Sequence, residues 1–251
     1  MSARSIIQCQ NLDKAFGGLK ILTGVSFDIY EGERLALIGP NGTGKSTLIN
    51  TIGGQGPATA GKVLFEGKDI TYAKPNKRLQ MGMARSFQGN NLFWKMSILD
   101  NVLLALHGGE KNHFQMFKTL EKRKDLLDKA EHLLKSADLW EKRHMVPTLL
   151  SYGEQRLLEM MLAFACDPKI VLLDEPSAGL PTVEAGKFAE RLRTLSEGIT
   201  LLFCAHDLEL VFTLADRIMV LYFGQILKIG TPDEIKNDPQ VREIYLGAEE
   251  V

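Results

Sequence analysis

The stretch Gly39-Pro40-Asn41-Gly42-Thr43-Gly44-Lys45-Ser46-Thr47 constrains the fold more than any other. It fits G-x-x-x-x-G-K-[ST], the phosphate-binding loop known as Walker A. Before it, Arg34-Leu35-Ala36-Leu37-Ile38 is an apolar run that reads as a buried strand. After it, Ser46 to Ile52 reads as a helix ending at Gly53-Gly54. The glycines let the backbone turn with no Cβ in the way of a phosphate. Successive N–H groups then form an anion nest, and the helix that follows opens with unpaired N–H groups and a positive dipole end. Lys45 adds a charge for the β- and γ-phosphates, and Ser46 a hydroxyl for Mg²⁺. An incidental Gly-rich turn with a lysine is the alternative; strand, loop and helix in sequence argue against it.

The 251 residues suffice for one large domain or for a core with a subdomain. The formal net charge is -1 and no block of like charges occurs, so nothing electrostatic calls for nucleic acid. Cys9, Cys166 and Cys204 lie far apart without metal spacing, which points to inert thiols in a reducing compartment. The start, Met1-Ser2-Ala3-Arg4-Ser5, does not lead into a signal-peptide core. No apolar run approaches the ~20 residues that span a bilayer.

Along the chain, residues 6–12, 25–29, 34–38 and 61–67 read as short strands, several of them forming an antiparallel β layer beside the nucleotide site. From about Met83 the pattern turns helical. Residues 98–107, roughly 116–138, and 154–166 carry apolar positions at helical spacing. Residues 169–174 and 199–205 read as buried parallel strands. A helix over 183–195 has Thr182 as its expected N-cap, and Asp207 is expected to cap another. Residues 217–229 read as a hairpin turned near Gly224-Gln225. Thr231-Pro232-Asp233-Glu234 is a capping box, and Asp238-Pro239 starts a last helix. The expected fold is α/β: a P-loop NTPase (RecA-like) core over 1–88 and 166–251, with an antiparallel β layer and an inserted α-helical subdomain over 89–165.

Asp174, at the end of a buried strand, is placed to hold Mg²⁺ through water, and Glu175 just beyond can take a proton from an attacking water. Gln88, where core and helical block join, is either a ligand of Mg²⁺ or water or an ordinary surface glutamine. His206 follows a strand on the edge where α/β sheets place ligands, although a lone histidine is usually a satisfied one. Phe16 is open between adenine stacking and core. Leu150-Ser151-Tyr152-Gly153-Glu154-Gln155 begins an apolar helix and so offers N–H groups and a hydroxyl to an anion.

These pieces in this order resemble the ATP-binding subunit of an ABC transporter, over nearly the whole chain: Walker A at 39–47, Gln88, Leu-Ser-x-Gly-x-Gln at 150–155, Ile-Val-Leu-Leu-Asp-Glu at 170–175, and His206. In that family two nucleotide domains sit head to tail, each ATP lying between Walker A of one and the signature of the other. The resemblance implies that Ser151, Gly153 and Gln155 belong to a site completed by the partner chain, with Ser151 and Gly153 on its γ-phosphate. It also makes Phe16 the adenine-stacking aromatic, Glu175 the catalytic base and His206 the switch histidine. Phe16-Gly17-Gly18-Leu19-Lys20, Met83 to Gln88, Leu92-Phe93 and Asn101-Val102-Leu103 further resemble the branched-chain amino acid importers and their urea-transporting relatives.

The implied machine is a peripheral motor at the cytoplasmic face of the cell membrane, using ATP and Mg²⁺. Its partners are a second nucleotide-binding subunit, identical or similar, integral membrane permease subunits and, indirectly, a solute-binding protein. Residues near Gln88 and Leu92-Phe93-Trp94 are expected to contact the permease or else to be packing. Three positions depart from the family pattern. Pro181 follows Ser177-Ala178-Gly179-Leu180 where an acidic or amide residue is usual, and Leu157 and Leu162 stand where close relatives often carry arginine. A soluble ATPase of the same superfamily, acting on DNA or ribosomes, is the rival; no sustained heptads, one cassette and near-neutral charge count against it. A simple nucleotide kinase would leave 151–155 without a use.

Overall fold

The computed structural model describes residues 4–86, 92–108 and 123–246. Ser5–Phe16 (β1) and Leu19–Tyr30 (β2) form an antiparallel hairpin turned at Gly17-Gly18. Both strands run longer than the sequence pattern suggests. Alternation survives in the buried Leu12, Leu22, Val25 and Phe27, while register shifts around Leu12 and Lys14 break the period that a window would detect. Arg34–Ile38 (β3) leads through the glycine loop into Lys45–Gly53 (α1), which Gly54 ends in the left-handed conformation, φ 83°. Ala60–Phe65 (β4) pairs with β1, and the short Lys68–Asp69 (β5) pairs with β4.

Pro75–Gln80 (α2) and Met83–Arg85 (β6) follow; neither was visible as an element in the sequence. Ile98–Gly108 (α3), Lys124–Ser136 (α4) and Tyr152–Phe164 (α5) make the helical block. The expected helix over 116–138 is described only from Lys124; its earlier part lies outside the described residues. Then come Ile170–Asp174 (β7), Thr182–Leu195 (α6), Thr200–Cys204 (β8), Leu208–Leu214 (α7), the hairpin Arg217–Tyr222 (β9) and Gln225–Gly230 (β10), and Pro232–Lys236 (α8). The expected N-cap of α6 shifts: the helix takes in Thr182, and Pro181, whose fixed φ suits a helix start, holds the cap position without a side-chain hydrogen bond.

Two sheets organise the chain. One has four strands in the order β2-β1-β4-β5, and all its pairs are antiparallel. The other has six, β10-β9-β3-β8-β7-β6, parallel except for β10. Its strands β3, β7 and β8 are buried almost throughout, which explains their continuous apolar runs. One face packs on α1 and the antiparallel sheet, through Leu37, Leu48, Ile52, Val63, Phe65 and Met219. The other face packs on α3 to α7, and Val102, Leu134, Leu157, Leu158, Phe188 and Phe203 share one continuous core. Leu157, an expected arginine position, is therefore a core residue.

Arg78 is buried at 1% exposure, yet every donor group of its guanidinium has a partner. It donates to the carbonyls of Thr51, Ile52, Ile70, Thr71 and Ala73. Burial lowers its pKa to about 10, so it stays charged at neutral pH and faces the negative end of α1. The helix that begins at the phosphate loop is thus pinned from its far end.

Candidate nucleotide site

Parallel strands with their C-terminal ends together put three loops on one edge. β8 lies between β3 and β7, so the loops after Ile38, Asp174 and Cys204 are neighbours. Gly39 and Gly44 of the glycine loop are needed for space. A Cβ on Gly39 would lie 2.1 Å from the Leu221 carbonyl oxygen, and one on Gly44 (φ 104°) would lie 2.9 Å from the Leu22 side chain. Gly44 occupies the N-cap of α1 with no side-chain cap, and no acidic residue lies in the first turn. The first N–H groups of the helix therefore face outward without a carboxylate of their own, as an anion site requires.

Lys45 is buried and folds back over the loop, Nζ donating to the carbonyls of Gly39 at 2.7 Å and Pro40 at 2.9 Å. Burial pushes its pKa down, against the opposing pull of Cys204, Glu175 and Asp174. Thr43 closes the turn, its hydroxyl donating to the Pro40 carbonyl. The Ser46 hydroxyl donates to Asp174 Oδ1 at 3.3 Å. Asp174 Oδ2 lies 3.5 Å from Arg85 Nη2, with only 3% of the aspartate side chain exposed.

Glu175 adopts φ 51°, a left-handed conformation that costs a glutamate energy and turns its carboxylate off the strand line. Its N–H donates to the Cys204 carbonyl, and its Oε1 lies 3.1 Å from His206 Nε2. The sheet thus joins Lys45, Ser46, Asp174, Glu175 and His206, which are spread over more than 160 positions of sequence. Cys204 beneath them is inert, its pKa pushed up to about 12 by burial and then by Asp174. Phe16 sits at the tip of the β1–β2 hairpin, exposed, with Lys14 Nζ 4.9 Å from its ring centroid. Core packing, one of its two readings, is excluded. Gln88 lies outside the described residues.

The 150–155 stretch stands elsewhere, at the N-terminus of α5. Ser151 is the N-cap: its Oγ accepts from the Glu154 N–H, and Glu154 Oε2 accepts from the Ser151 N–H at 3.0 Å. This capping box starts the helix two residues before the expected Glu154. Gln155 spends its amide on its own chain, donating to the carbonyls of Pro147 and Leu150. Ser151 and Gly153 open onto a polar cavity of about 290 Å³ shared with Glu184, Lys187 and Arg191 of α6. The Tyr152 hydroxyl donates to the Ala178 carbonyl at 3.1 Å, which ties the signature to the loop after Glu175. That link was invisible in sequence because Tyr152 and Ala178 carry no shared motif.

Of Leu92-Phe93-Trp94, only Phe93 is exposed; Leu92 is buried and Trp94 packs on the core. Buried Asn101 explains the placement: its side chain accepts from the Phe93 N–H and donates to the Phe93 and Ser97 carbonyls. Leu162 walls an apolar groove of about 460 Å³ between α5 and the α2–β6 edge, where an arginine would place a charge. No helix among the described residues is long and apolar enough to cross a membrane.

Residues 22–178 match the family described as ABC transporter, and residues 229–251 match the branched-chain amino acid ATP-binding cassette transporter family. A probable branched-chain amino acid transport ATP-binding protein, LivG of Archaeoglobus fulgidus, is 38% identical, the alignment covering 98% of this chain and 96% of that protein. The high-affinity LivG of Escherichia coli is 34% identical over 98% of this chain and 99% of its own length. The ADP conformation of MJ1267, an ATP-binding cassette of an ABC transporter, superposes with a TM-score of 0.83 at 36% identity, covering 97% and 99% of the two chains. A dimeric post-hydrolysis state of the cassette MJ0796, bound to ADP and Pi, matches with a TM-score of 0.72 at 26% identity, covering 90% and 98%. A glycine loop, an acidic strand end and a capped signature helix, on a chain with this kinship, belong to the ATP-binding proteins of ABC transporters, in their branched-chain amino acid (LivG) family, and the protein is an ATP hydrolase.

Proposed function

We propose that this chain powers the uptake of branched-chain amino acids as a peripheral subunit on the cytoplasmic face of the membrane. The observation that carries the catalytic part is the sheet edge itself, which holds Lys45, Ser46, Asp174, Glu175 and His206 together. The names of the relatives, and the C-terminal family match at 229–251, support the cargo.

The loop from Gly39 to Thr47 binds the triphosphate through its N–H groups, Pro40 excepted. Lys45 exchanges its bonds to the Gly39 and Pro40 carbonyls for phosphate oxygens. Phe16 offers its exposed ring to the adenine. Ser46 and Asp174 are hard oxygen donors of the kind Mg²⁺ prefers, and a nucleotide-bound Mg²⁺ needs only one or two protein oxygens. No cluster of three or more acidic, His or Cys ligands among the described residues offers a competing metal cage. Gln88 completes this set. When bound there, Mg²⁺ neutralises charge building on the phosphates. Glu175 takes the proton of the attacking water, and His206, 3.1 Å away, orients the glutamate and reaches the γ-phosphate. Ser151, Gly153 and Gln155 complete the site of a second subunit; the similar cassette MJ0796 is a dimer bound to ADP and Pi.

Residues 89–165 work as a unit that carries the signature. The apolar groove beside Leu162, with the exposed Phe93, supports docking of a permease segment on this unit. A solute-binding protein then acts at one remove. The test is uptake of labelled leucine in cells lacking the chromosomal gene. Uptake restored by the wild-type chain and not by Glu175→Gln, with a permease co-purifying from membranes, is expected. Normal leucine uptake without the chain overturns the cargo.

A further inference from the structure

Arg85 links the segment that follows α1, at Gln55, to Asp174 at the end of β7. It ends β6, with Leu172 of β7 as its register partner, and its side chain is only 11% exposed. Nη1 donates to Gln55 Oε1 at 2.8 Å, Nη2 lies 3.5 Å from Asp174 Oδ2, and Nε is buried with no hydrogen-bond partner among the described residues. Gly53, in the last turn of α1, is a glycine that gives it room: a Cβ there would sit 3.2 Å from Nη1. The same side chain lines the apolar groove between α5 and the α2–β6 edge.

A buried carboxylate needs both oxygens satisfied and a counter-charge nearby. Ser46 serves Oδ1, and Arg85 stands at Oδ2. The terminal torsion of an aspartate is broad, so one contact does not fix its plane; two opposed contacts do. A planar guanidinium reaches Gln55 and Asp174 together, which a lysine cannot do with the same rigidity.

We infer that Arg85 is a positioning residue that holds the Asp174 carboxylate with Oδ1 toward Ser46, and so sets how tightly the divalent cation of the nucleotide is bound. The inference rests on the reading of Ser46 and Asp174 as the metal pair. The sign of the effect separates positioning from simple charge. A guanidinium acting only through its charge repels the cation, and its removal tightens metal binding. A guanidinium that orients the carboxylate weakens metal binding when it is lost.

The experiment titrates Mn²⁺ into the whole protein bound to a non-hydrolysable ATP analogue, read by electron paramagnetic resonance. Nucleotide affinity in EDTA is measured alongside. Arg85→Ala is expected to raise the Mn²⁺ half-saturation about tenfold, the range seen when supporting groups around metal ligands are removed. Metal-free nucleotide affinity is expected to stay at the wild-type value, and Arg85→Lys to recover part of the loss. In an Asp174→Ala background, Arg85→Ala is expected to add nothing. Unchanged or tighter Mn²⁺ binding in Arg85→Ala, with Asp174→Ala impaired, overturns the inference alone, as does a parallel loss of metal-free nucleotide binding. Unchanged Mn²⁺ binding in Asp174→Ala overturns the metal reading, and the inference with it.

Discussion

Two helices in this protein begin at the loops proposed to meet phosphate, and they are built in opposite ways. α1 starts at Gly44 with no side-chain cap and no acid in its first turn, and Arg78 secures it from the far end. α5 starts at Ser151 with a complete capping box and Glu154 already at its positive pole. The first helix leaves its N-terminal donors for a ligand. The second satisfies much of its own demand, so an arriving phosphate competes with Ser151 and Glu154. Under the proposed function the contrast separates binding from gating: the α1 loop captures nucleotide within a single chain, and the α5 loop engages only when a neighbour brings a phosphate to it.

The largest effect lies between the two helices. Glu175→Gln keeps the size and the φ 51° turn while removing the proton acceptor. Turnover is expected to fall roughly a thousandfold, within the range for a lost general base. The ATP-bound dimer is expected to accumulate in size-exclusion chromatography. A variant with near-normal turnover removes Glu175 from the chemistry and shifts attention to His206.

Next is Lys45→Ala, which isolates the α1 side. Lys45 carries the one buried ammonium of the loop, and its loss is expected to weaken ATP binding about 100-fold, in line with a desolvated charge contact. Fluorescent-nucleotide titration measures it. Equal affinity in Lys45→Ala and wild type breaks the claim that α1 captures nucleotide alone.

Ser151→Ala sharpens the other side. It removes the N-cap acceptor of α5 and is expected to cost about 1 kcal/mol of stability. Nucleotide affinity of the single chain is expected to stay constant while ATP-driven dimerisation weakens. A Ser151→Ala chain that binds ATP poorly as a monomer puts both loops in one subunit's site and ends the contrast.

Much of the α1 side was legible in the sequence, and less of the α5 side. Strand 34–38, the glycine loop and the acidic end of β7 are local patterns in which burial on both faces leaves an unbroken apolar run. The box at Thr231-Glu234 was equally plain, with the Thr231 hydroxyl accepting from the Glu234 N–H. Ser151-Tyr152-Gly153-Glu154 has the same spacing, yet Gly153, a poor helix former, pushed the expected start two residues late. Arg78 and Arg85 were missed because a single arginine carries no periodicity. Their roles exist only after β6 and α2 fold against α1 and bring the carbonyls of Thr51 and Ile52, and the carboxylate of Asp174, within reach. The β1–β2 hairpin was cut short for a related reason: its register shifts interrupt alternation where the strands still pair.

The smallest effect tests whether α5 is self-satisfied at its start. Burial raises the pKa of Glu154, but the bond from Lys142 and the N–H of Ser151 outweigh it and leave the carboxyl below its ordinary value. A depressed folded pKa contributes stability that is fully present above the unfolded value of about 4.3 and is lost as pH falls through the folded value. Wild type should therefore lose a few tenths of a kcal/mol from this group between about pH 5 and the folded pKa. Glu154→Gln keeps the box geometry and should remove that slope, with paired thermal melts from pH 3 to 7 as the measurement. It also takes the negative charge from the α5 pole, so a phosphate brought by a neighbour meets less competition, and the ATP-bound dimer should form more readily than in wild type. Weaker dimerisation with the slope abolished would mean that Glu154 serves the incoming phosphate by holding Ser151 in place, and that the two helix starts differ in construction but not in readiness.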